Sequence, residues 1–255
     1  MRIVQLSDPH IVPAAQQPVH GQDTLGRLQA AIDAVNRLSP APDLVVMTGD
    51  QSNDGSEASY LTLKNTLASL RFPCFMAMGN HDYSPVFRRV MLDETAANPA
   101  PYYYALDRCG HRIIVLDTYE EGEVEGRLDD VQLDWLEQEL SYDLPATVCM
   151  HHPPVPVGVA WMDKLILKDG GRFLRICNAH ASLRLILCGH LHYDFRIELD
   201  HATVLIAPSV GLQFRKDPVV KPDGTRVIAT DEPAAFRIVD LCGSEWNTSI
   251  HRLPL

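Results

Sequence analysis

The chain has 255 residues and a formal net charge of −11 at pH 7, with 22 lysines and arginines against 33 aspartates and glutamates. A hydrophobic fraction of 46% with 22% charged residues is ordinary for a globular protein and excludes wholesale disorder. The acidic balance and the lack of a lysine or arginine cluster argue against nucleic acid as the main partner, because binding to a phosphate backbone relies on basic patches.

The apolar segments and the N-terminus predict neither a membrane anchor nor an export signal. The longest apolar runs, such as residues 44–47 and 113–116, are far shorter than the ~20 residues of a membrane-spanning helix. The first eight residues, MRIVQLSD, contain no apolar core before a small-residue cleavage site, so we expect a cytoplasmic protein. Six scattered cysteines without a C-x-x-C pair argue against a disulfide framework.

Strand-like and helical patterns alternate in the first half of the chain. Apolar runs predict strands at residues 2–6, 43–48 and 73–78. Helices are predicted to begin at Asp23 or Thr24, at Ser56 and near residue 86, where apolar residues recur at spacings of three and four. Such alternation is typical of a parallel sheet with right-handed crossovers.

The second half of the chain mixes hairpins with further strands. Two extended runs at 102–106 and 112–117 flank a turn at Cys109-Gly110 and predict a hairpin. Asp129 and Gln132 resemble a capping box. Strands at 146–150 and 183–188 flank a helix at 172–179. Short strands are predicted after residue 193, at 195–199, 203–207, 235–241 and 246–250. We predict an α/β fold of two mixed sheets packed face to face with helices outside, in a single domain spanning residues 1–255.

Residue types that ligate metals follow five of the predicted strands. The segments are Asp8-Pro9-His10, Gly49-Asp50, Gly79-Asn80-His81-Asp82, His151-His152-Pro153-Pro154 and Gly189-His190-Leu191-His192. Each short motif alone is weak evidence, because such motifs often occur by chance. Loops beyond the carboxyl ends of strands are where ligand sites form in α/β sheets. Five motifs at the same end of their strands therefore predict one shared site.

The order of these motifs resembles the calcineurin-like metallophosphoesterases, whose pattern is D-x-H, G-D, G-N-H-[DE], H and G-H-x-H. The resemblance covers residues 2 to about 210. The segments 47–55, 78–82 and 150–163 are most similar to class III cyclic nucleotide phosphodiesterases and bacterial glycerophosphodiesterases. The resemblance implies a four-layer αββα sandwich with a metal site at the carboxyl ends of the strands.

By motif position, the resemblance also implies two metal ions that share one carboxylate. The ligands expected for the first ion are Asp8, His10, Asp50 and His192. The ligands expected for the second ion are Asp50, Asn80, His151 and His190. Imidazole, carboxylate and amide oxygen together suit Mn, Fe, Zn or Co, and the donor set does not select among them.

His81 is the expected catalytic residue, because it follows a ligand without being one and can contact the phosphoryl group or protonate the leaving alkoxide. Five further residues keep two interpretations each. His152 either supports a ligand or is structural, and Asp82 either caps a helix or orients a neighbouring histidine or the backbone. Asn53 faces substrate or makes a turn. Trp161, together with Met162, lines a leaving-group pocket or packs.

We expect a dinuclear-metal phosphodiesterase acting on small phosphodiesters, with 3′,5′-cyclic nucleotides such as cyclic AMP first and glycerophosphodiesters as the alternative. A nuclease on the same site would need a basic groove, and a non-catalytic binding module would be expected to have lost ligands. Residues 210–255 match the family less clearly and are expected to add a substrate cap or an oligomer contact. A homodimer or a higher homo-oligomer stays open, whereas neither nucleic acid nor a membrane is an expected partner.

Overall fold

The computed structural model describes residues 1–96, 98–168, 170–243 and 245–254. The strands within these residues are β1 (Arg2–Leu6), β2 (Leu44–Thr48), β3 (Cys74–Ala77), β4 (Tyr104–Arg108), β5 (His111–Val115), β6 (Ala146–Cys149), β7 (Leu183–Cys188), β8 (Phe195–Glu198), β9 (Thr203–Ile206), β10 (Gln213–Val220), β11 (Arg226–Thr230), β12 (Ala235–Cys242) and β13 (Glu245–Arg252). The helices are α1 (Thr24–Asn36), α2 (Glu57–Leu67), α3 (Ser84–Met91), α4 (Asp130–Leu140) and α5 (Gly170–Ala179). In the described part of the chain, none of these helices combines the length and hydropathy needed to cross a bilayer.

Two mixed sheets form the centre of the fold. The first has the strand order β13-β12-β1-β2-β3, and the second has the order β4-β5-β6-β7-β9-β8. Strands β1, β2 and β3 are parallel to one another, as are β5, β6, β7 and β9. The remaining neighbours pair antiparallel. The parallel centres with antiparallel edges confirm the predicted α/β class.

Buried apolar side chains lie in three layers around the two sheets. Ile3 and Val46 of the first sheet share a buried cluster with Ile113 and Leu185 of the second, which places this cluster between the sheets. Side chains of α1, α2 and α3 cover the outer face of the first sheet, and those of α4 and α5 cover the outer face of the second. The predicted four-layer αββα sandwich is therefore confirmed.

The helix caps follow the predicted residues, with one correction. The side chains of Asp23, Ser56 and Asp129 each accept a hydrogen bond from a backbone N–H in the first turn of α1, α2 and α4. Asp129 and Gln132 do not form a reciprocal capping box. The Gln132 amide instead accepts from the backbone N–H of Asp117 at 2.7 Å and donates to its carbonyl at 2.8 Å. These backbone groups are buried, and leaving them without hydrogen-bond partners would cost more than losing the second bond of a capping box.

The β10–β11 hairpin was not among the predicted strands. β10 and β11 pair antiparallel with a register shift between Phe214 and Val219. Most of the β10 side chains are exposed, and Pro218 lies within the strand. A strand of this kind lacks the alternation that identifies a half-buried strand, and proline is found on edge strands or at bulges.

Candidate metal centre

The five motif segments meet at one edge of the sandwich. β1, β2 and β3 of the first sheet end just before Asp8, Asp50 and Asn80, and β6 and β7 of the second sheet end just before His151 and His190. Because the strands within each sheet are parallel, their carboxyl ends lie side by side. The site therefore lies where the predicted strand ends placed it.

The first donor group consists of Asp8, His10, Asp50 and His192, which are all buried and offer ligand atoms within 4.8 Å of one another. Nε2 of His10 is 3.1 Å from Nε2 of His192 and 3.3 Å from Oδ2 of Asp50. Nε2 of His192 is 3.3 Å from Oδ1 of Asp8. The structure thus brings together the four side chains that the motif order assigned to the first ion.

The second donor group surrounds Nε2 of His151. That atom is 3.2 Å from Oδ1 of Asn80, 3.1 Å from Nδ1 of His190 and 3.4 Å from Oδ1 of Asp50. Asp50 therefore presents Oδ2 to the first group and Oδ1 to the second. A carboxylate in this position has the geometry to bridge two cations.

Three of the histidine rings are oriented by oxygen acceptors. Nδ1–H of His10 donates to Oδ1 of Asn53 at 3.2 Å, that of His151 donates to the carbonyl of Thr48 at 2.8 Å, and that of His192 donates to the carbonyl of Leu212 at 2.6 Å. Each ring then carries its proton on Nδ1 and directs the lone pair of Nε2 into the site.

In this arrangement, hydrogen-bond acceptors of the histidine rings and carboxylates face one another. The Nε2 lone pairs of His10 and His192 face each other at 3.1 Å beside two carboxylates, and no donor lies between them among the described residues. Nε2 of His190 is buried without a hydrogen-bond partner in the same part of the chain. With the protons on Nδ1, these lone pairs converge without a donor, and a cation between them would remove the repulsion, so the donor set fits divalent metal ions.

The protonation of two of the rings, those of His10 and His190, agrees with this fit. Burial lowers the pKa of His10 and of His190 to about 3, so both rings are neutral at pH 7 as metal ligands must be. Burial also acts to lower the pKa of His151, but the Asp50 carboxylate raises it to about 9. Without an ion, His151 therefore carries a second proton beside Asp50, and this proton must leave before Nε2 can ligate a metal.

Backbone strain is concentrated at the same residues. Eight non-glycine residues of the described chain have positive φ, and five of them are candidate ligands: Asp8, His10, Asp50, His190 and His192. Each such conformation costs on the order of 1–3 kcal/mol and persists only where the surroundings enforce it. Strain of this kind is typical of functional sites.

Gly79 allows two loops to approach each other closely. A Cβ atom at this position would lie 2.3 Å from Oδ1 of Asp50 and 2.8 Å from Nε2 of His151. Neither neighbour can move without leaving the second donor group. Glycine is therefore required here by the packing of the site itself.

His81 lies at the exposed side of the centre. Its backbone N–H donates to Oδ1 of Asp50 at 2.9 Å, and its Nδ1–H donates to the carbonyl of Asn53 at 2.9 Å. Its ring meets the ring of His10 edge to face at a centroid distance of 4.7 Å. With Nδ1 engaged, Nε2 is the atom through which an imidazolium could donate a proton to a bound molecule.

His152 lies next to the second group but is not available to it. Its Nδ1 accepts from the hydroxyl of Thr118 at 2.7 Å, and its Nε2–H donates to the carbonyl of Val124 at 3.0 Å. Its ring is 4.5 Å from the ring of His190, centroid to centroid. His151, His152 and His190 offer ligand atoms within 4.8 Å of one another, but both ring nitrogens of His152 are engaged, and its contact with His190 is one of packing.

Asp82 connects the loops that follow β2 and β3. Its carboxylate accepts backbone N–H groups of Gly79, Gln51 and Ser52 and the hydroxyl of Tyr60. Of its open interpretations, the helix cap is wrong and the orientation of the backbone is correct.

Two contacts of the centre were not among the sequence predictions. The Asn53 side chain orients His10, a contact that neither a turn nor a substrate-facing role implies. The Phe214 ring stacks on the ring of His192 at a centroid distance of 3.8 Å. Phe214 lies beyond the motif segments, so no local signal identified it. Met162 is buried in the core, whereas Trp161 is half-buried beside Phe214.

Solved structures and curated proteins resemble this chain over nearly its whole length. A dimetal phosphatase from Danio rerio superposes with a TM-score of 0.71 at 14% identity, covering 97% of this chain and 98% of that chain, which supports the fold alone. A probable cyclic nucleotide phosphodiesterase of Synechococcus sp. is 36% identical over 238 residues, or 93% of this chain and 90% of the relative.

Two further relatives cover 99% of this chain. The 3′,5′-cyclic adenosine monophosphate phosphodiesterase CpdA of Escherichia coli is 29% identical, with 90% of the relative covered. The glycerophosphodiester phosphodiesterase GpdQ of Enterobacter lignolyticus is 30% identical, with 91% of the relative covered. A family model described as calcineurin-like phosphoesterase matches residues 1–194, the part of the chain that carries all five motif segments. With that match and a relative 36% identical over 93% of this chain, the chain belongs to the calcineurin-like phosphoesterase family.

Proposed function

We propose that this chain is a dinuclear-metal-dependent phosphodiesterase that hydrolyses small phosphodiesters, with 3′,5′-cyclic nucleotides as the first substrate class. The observation that carries the proposal is the pair of buried donor groups joined by the two oxygens of Asp50, with His81 at their exposed side. This arrangement provides charge, orientation and a proton donor at one place.

The proposed ligands follow from the two donor groups. Asp8, His10, Asp50 and His192 would hold the first ion, and Asp50, Asn80, His151 and His190 would hold the second. Mn, Fe, Zn and Co all suit these donors. When bound, two such ions supply the positive charge that stabilises an in-line displacement at phosphorus and acidifies the attacking water.

His81 is proposed as the catalytic acid. Its Nδ1–H bond to the carbonyl of Asn53 fixes the ring, and the backbone bond to Asp50 fixes its distance from the donor groups. In the imidazolium form, Nε2–H can donate to the phosphoryl oxygen and then to the leaving alkoxide. Protonation matters because an alkoxide is a poor leaving group.

Cyclic nucleotides come first because the relatives named for them include the one with 36% identity. Glycerophosphodiesters are the second candidate, because the GpdQ relative is 30% identical over nearly the whole of both chains. We place the reaction in the cytoplasm, where cyclic nucleotides are expected. The second donor group and His81 would serve either substrate. Selectivity between the two substrates therefore depends on the residues that surround the metal centre.

A direct comparison of substrates tests the proposal. Protein loaded with Mn or Zn is assayed for kcat/KM on cyclic AMP and on glycerophosphodiesters, and bound metal is counted by elemental analysis. We expect two ions per chain and turnover of at least one substrate. Asp50→Asn replaces the shared carboxylate with a neutral amide and is expected to lose both bound metal and activity. Protein that holds two ions and hydrolyses neither substrate would refute the assignment.

A further inference from the structure

We propose that a cavity between the β10–β11 hairpin and residues 158–161 receives the nucleoside part of the substrate, with the base stacked on Trp161. The cavity has a volume of about 500 Å³ and is lined in part by Val159, Trp161, Lys216, Asp217 and Arg226. We call it the hairpin cavity. The inference rests on the proposed function and names the part of the chain that selects between the two candidate substrates.

The hairpin cavity adjoins the first donor group through one aromatic ring. Phe214, the second residue of β10, stacks on His192 with a centroid distance of 3.8 Å and an interplanar angle of 6°. The ring of Trp161 lies 6.0 Å from the ring of Phe214, centroid to centroid. A phosphodiester at the metal centre would thus extend its organic substituent past Phe214 towards Trp161.

The two walls of the hairpin cavity are joined by a hydrogen bond. Nε1–H of Trp161 donates to the backbone carbonyl of Lys216 at 2.8 Å. The segment before Trp161 is fixed as well, because Asp163 accepts the backbone N–H of Val157 at 2.7 Å. Trp161 is therefore held in place before any ligand arrives, which reduces the entropic cost of stacking a base on it.

Size and lining suit a nucleoside. Small-molecule sites typically have volumes of about 300–1,000 Å³ and combine apolar or aromatic walls with a few polar groups. Val159 and Trp161 supply the apolar wall. Among the described residues, the guanidinium of Arg226 has no hydrogen-bond or ion-pair partner, so its donors are free for the acceptors of a base or a ribose.

Charge distinguishes the two candidate substrates. Lys216 and Arg226 outnumber Asp217 among the charged residues that line the hairpin cavity. The Lys216 ammonium lies over the rings of Tyr193 and Phe195, 4.3 and 4.9 Å from their centroids. A choline or ethanolamine headgroup would meet this excess of positive charge, whereas a neutral base would not. The hairpin cavity therefore favours a nucleoside over a cationic headgroup.

Variants of Trp161 and Arg226 test the inference. Trp161→Ala is expected to raise KM for cyclic AMP on the order of tenfold, with kcat and the KM for glycerophosphocholine changing little, since stacking contributes to binding of the base alone. Trp161→Phe keeps an aromatic face and is expected to retain most of the preference. Arg226→Glu changes an exposed side chain and is expected to lower KM for glycerophosphocholine while raising it for cyclic AMP. Trp246→Phe, on the edge strand β13 and outside the cavity lining, is the control.

The outcomes separate this inference from the proposed function. Equal changes in KM for both substrates, or no change in either, would overturn it even if the enzyme is fully active. Binding of adenosine, which has no phosphate, is measured on the metal-free protein by saturation-transfer NMR. Adenosine signals that weaken in Trp161→Ala support the hairpin cavity whether or not turnover is found, and equal signals in both proteins overturn it.

Discussion

The side-chain oxygen of Asn53 accepts a hydrogen bond from Nδ1 of His10 at 3.2 Å. The backbone oxygen of the same residue accepts one from Nδ1 of His81 at 2.9 Å. One loop residue after β2 thus orients a proposed metal ligand and the proposed acid. Groups that orient ligands in this way fix the tautomer and the direction of the ring, and metal affinity depends on them.

Replacing Asn53 by alanine should weaken binding of the first ion by about 10- to 100-fold, because the His10 ring loses the acceptor that fixes its tautomer. Asn53→Asp keeps an acceptor oxygen and should retain most of the affinity. Metal titration of the stripped protein measures both. Asn36→Ala, at the end of α1, is the control. Wild-type affinity in Asn53→Ala would show that His10 needs no such support.

The sequence was sufficient to predict where the candidate ligands lie, because it records strand ends locally. Asp8, Asp50 and His190 each follow a buried apolar run by two residues, and parallel strands bring such positions to one edge. The positive φ of these residues was not predictable, since strain of this kind exists only when neighbouring segments impose it. The backbone N–H of His190, for example, donates to the carboxylate of Asp8, 182 positions away in the chain.

The contacts that hold the His192 ring come from the part of the chain that resembles the family least. The carbonyl of Leu212 accepts Nδ1–H of His192, and the neighbouring Phe214 covers the same ring. Both residues belong to or precede β10, whose exposed pattern gave no strand signal. Contacts between backbone carbonyls and rings leave no trace in residue type, so they could not be predicted from the sequence.

Removing the His81 side chain should affect substrates according to their leaving group. His81→Ala should lower kcat on cyclic AMP by about 10²–10⁴-fold, because the alkoxide then departs without a proton. On bis(4-nitrophenyl) phosphate the loss should be much smaller, since nitrophenolate leaves unprotonated. Metal content should stay at the wild-type level because the backbone bond to Asp50 remains.

Steady-state kinetics on the two substrates and elemental analysis measure the effect of His81→Ala. His201→Ala, which changes an exposed histidine outside the centre, is the control. An equal loss of kcat on both substrates would assign His81 to binding of the phosphoryl group and not to proton transfer.

Adding a single methyl group at Gly79 should disrupt the metal centre. The new Cβ of Gly79→Ala would overlap Oδ1 of Asp50 and Nε2 of His151, so both donors must shift. A displacement of about 1 Å at such a site costs on the order of 10²-fold in rate. We expect lower kcat/KM together with fewer bound ions.

Gly171→Ala is the matched control for that change. In α5 the added Cβ would meet only Nη1 of Arg175, at 3.9 Å, and alanine favours the helix by up to about 1 kcal/mol. This variant should be fully active and at least as stable in urea unfolding.

Two bound ions and wild-type kinetics in Gly79→Ala would show that the second donor group tolerates the displacement.

Asp117 should make stability fall as pH rises through the weakly acidic range. Burial raises the pKa of its carboxyl to about 6, although the backbone N–H groups of Tyr102 and Tyr119 donate to it and act to lower the pKa. Because the unfolded chain loses this proton near its ordinary pKa of 3.8, the folded state binds more protons between these values. The free energy of unfolding therefore decreases with pH in that window.

The difference in unfolding free energy between wild type and Asp117→Asn isolates this contribution, because the variant cannot titrate there. Urea unfolding of the metal-stripped proteins should show wild type losing roughly 3 kcal/mol relative to the variant between about pH 4 and 7, at about 1.4 kcal/mol per pKa unit. Other carboxylates cancel in the comparison. If the unfolding free energy of wild type instead rises with pH relative to that of Asp117→Asn, the two N–H donors outweigh burial and hold the Asp117 pKa below its ordinary value.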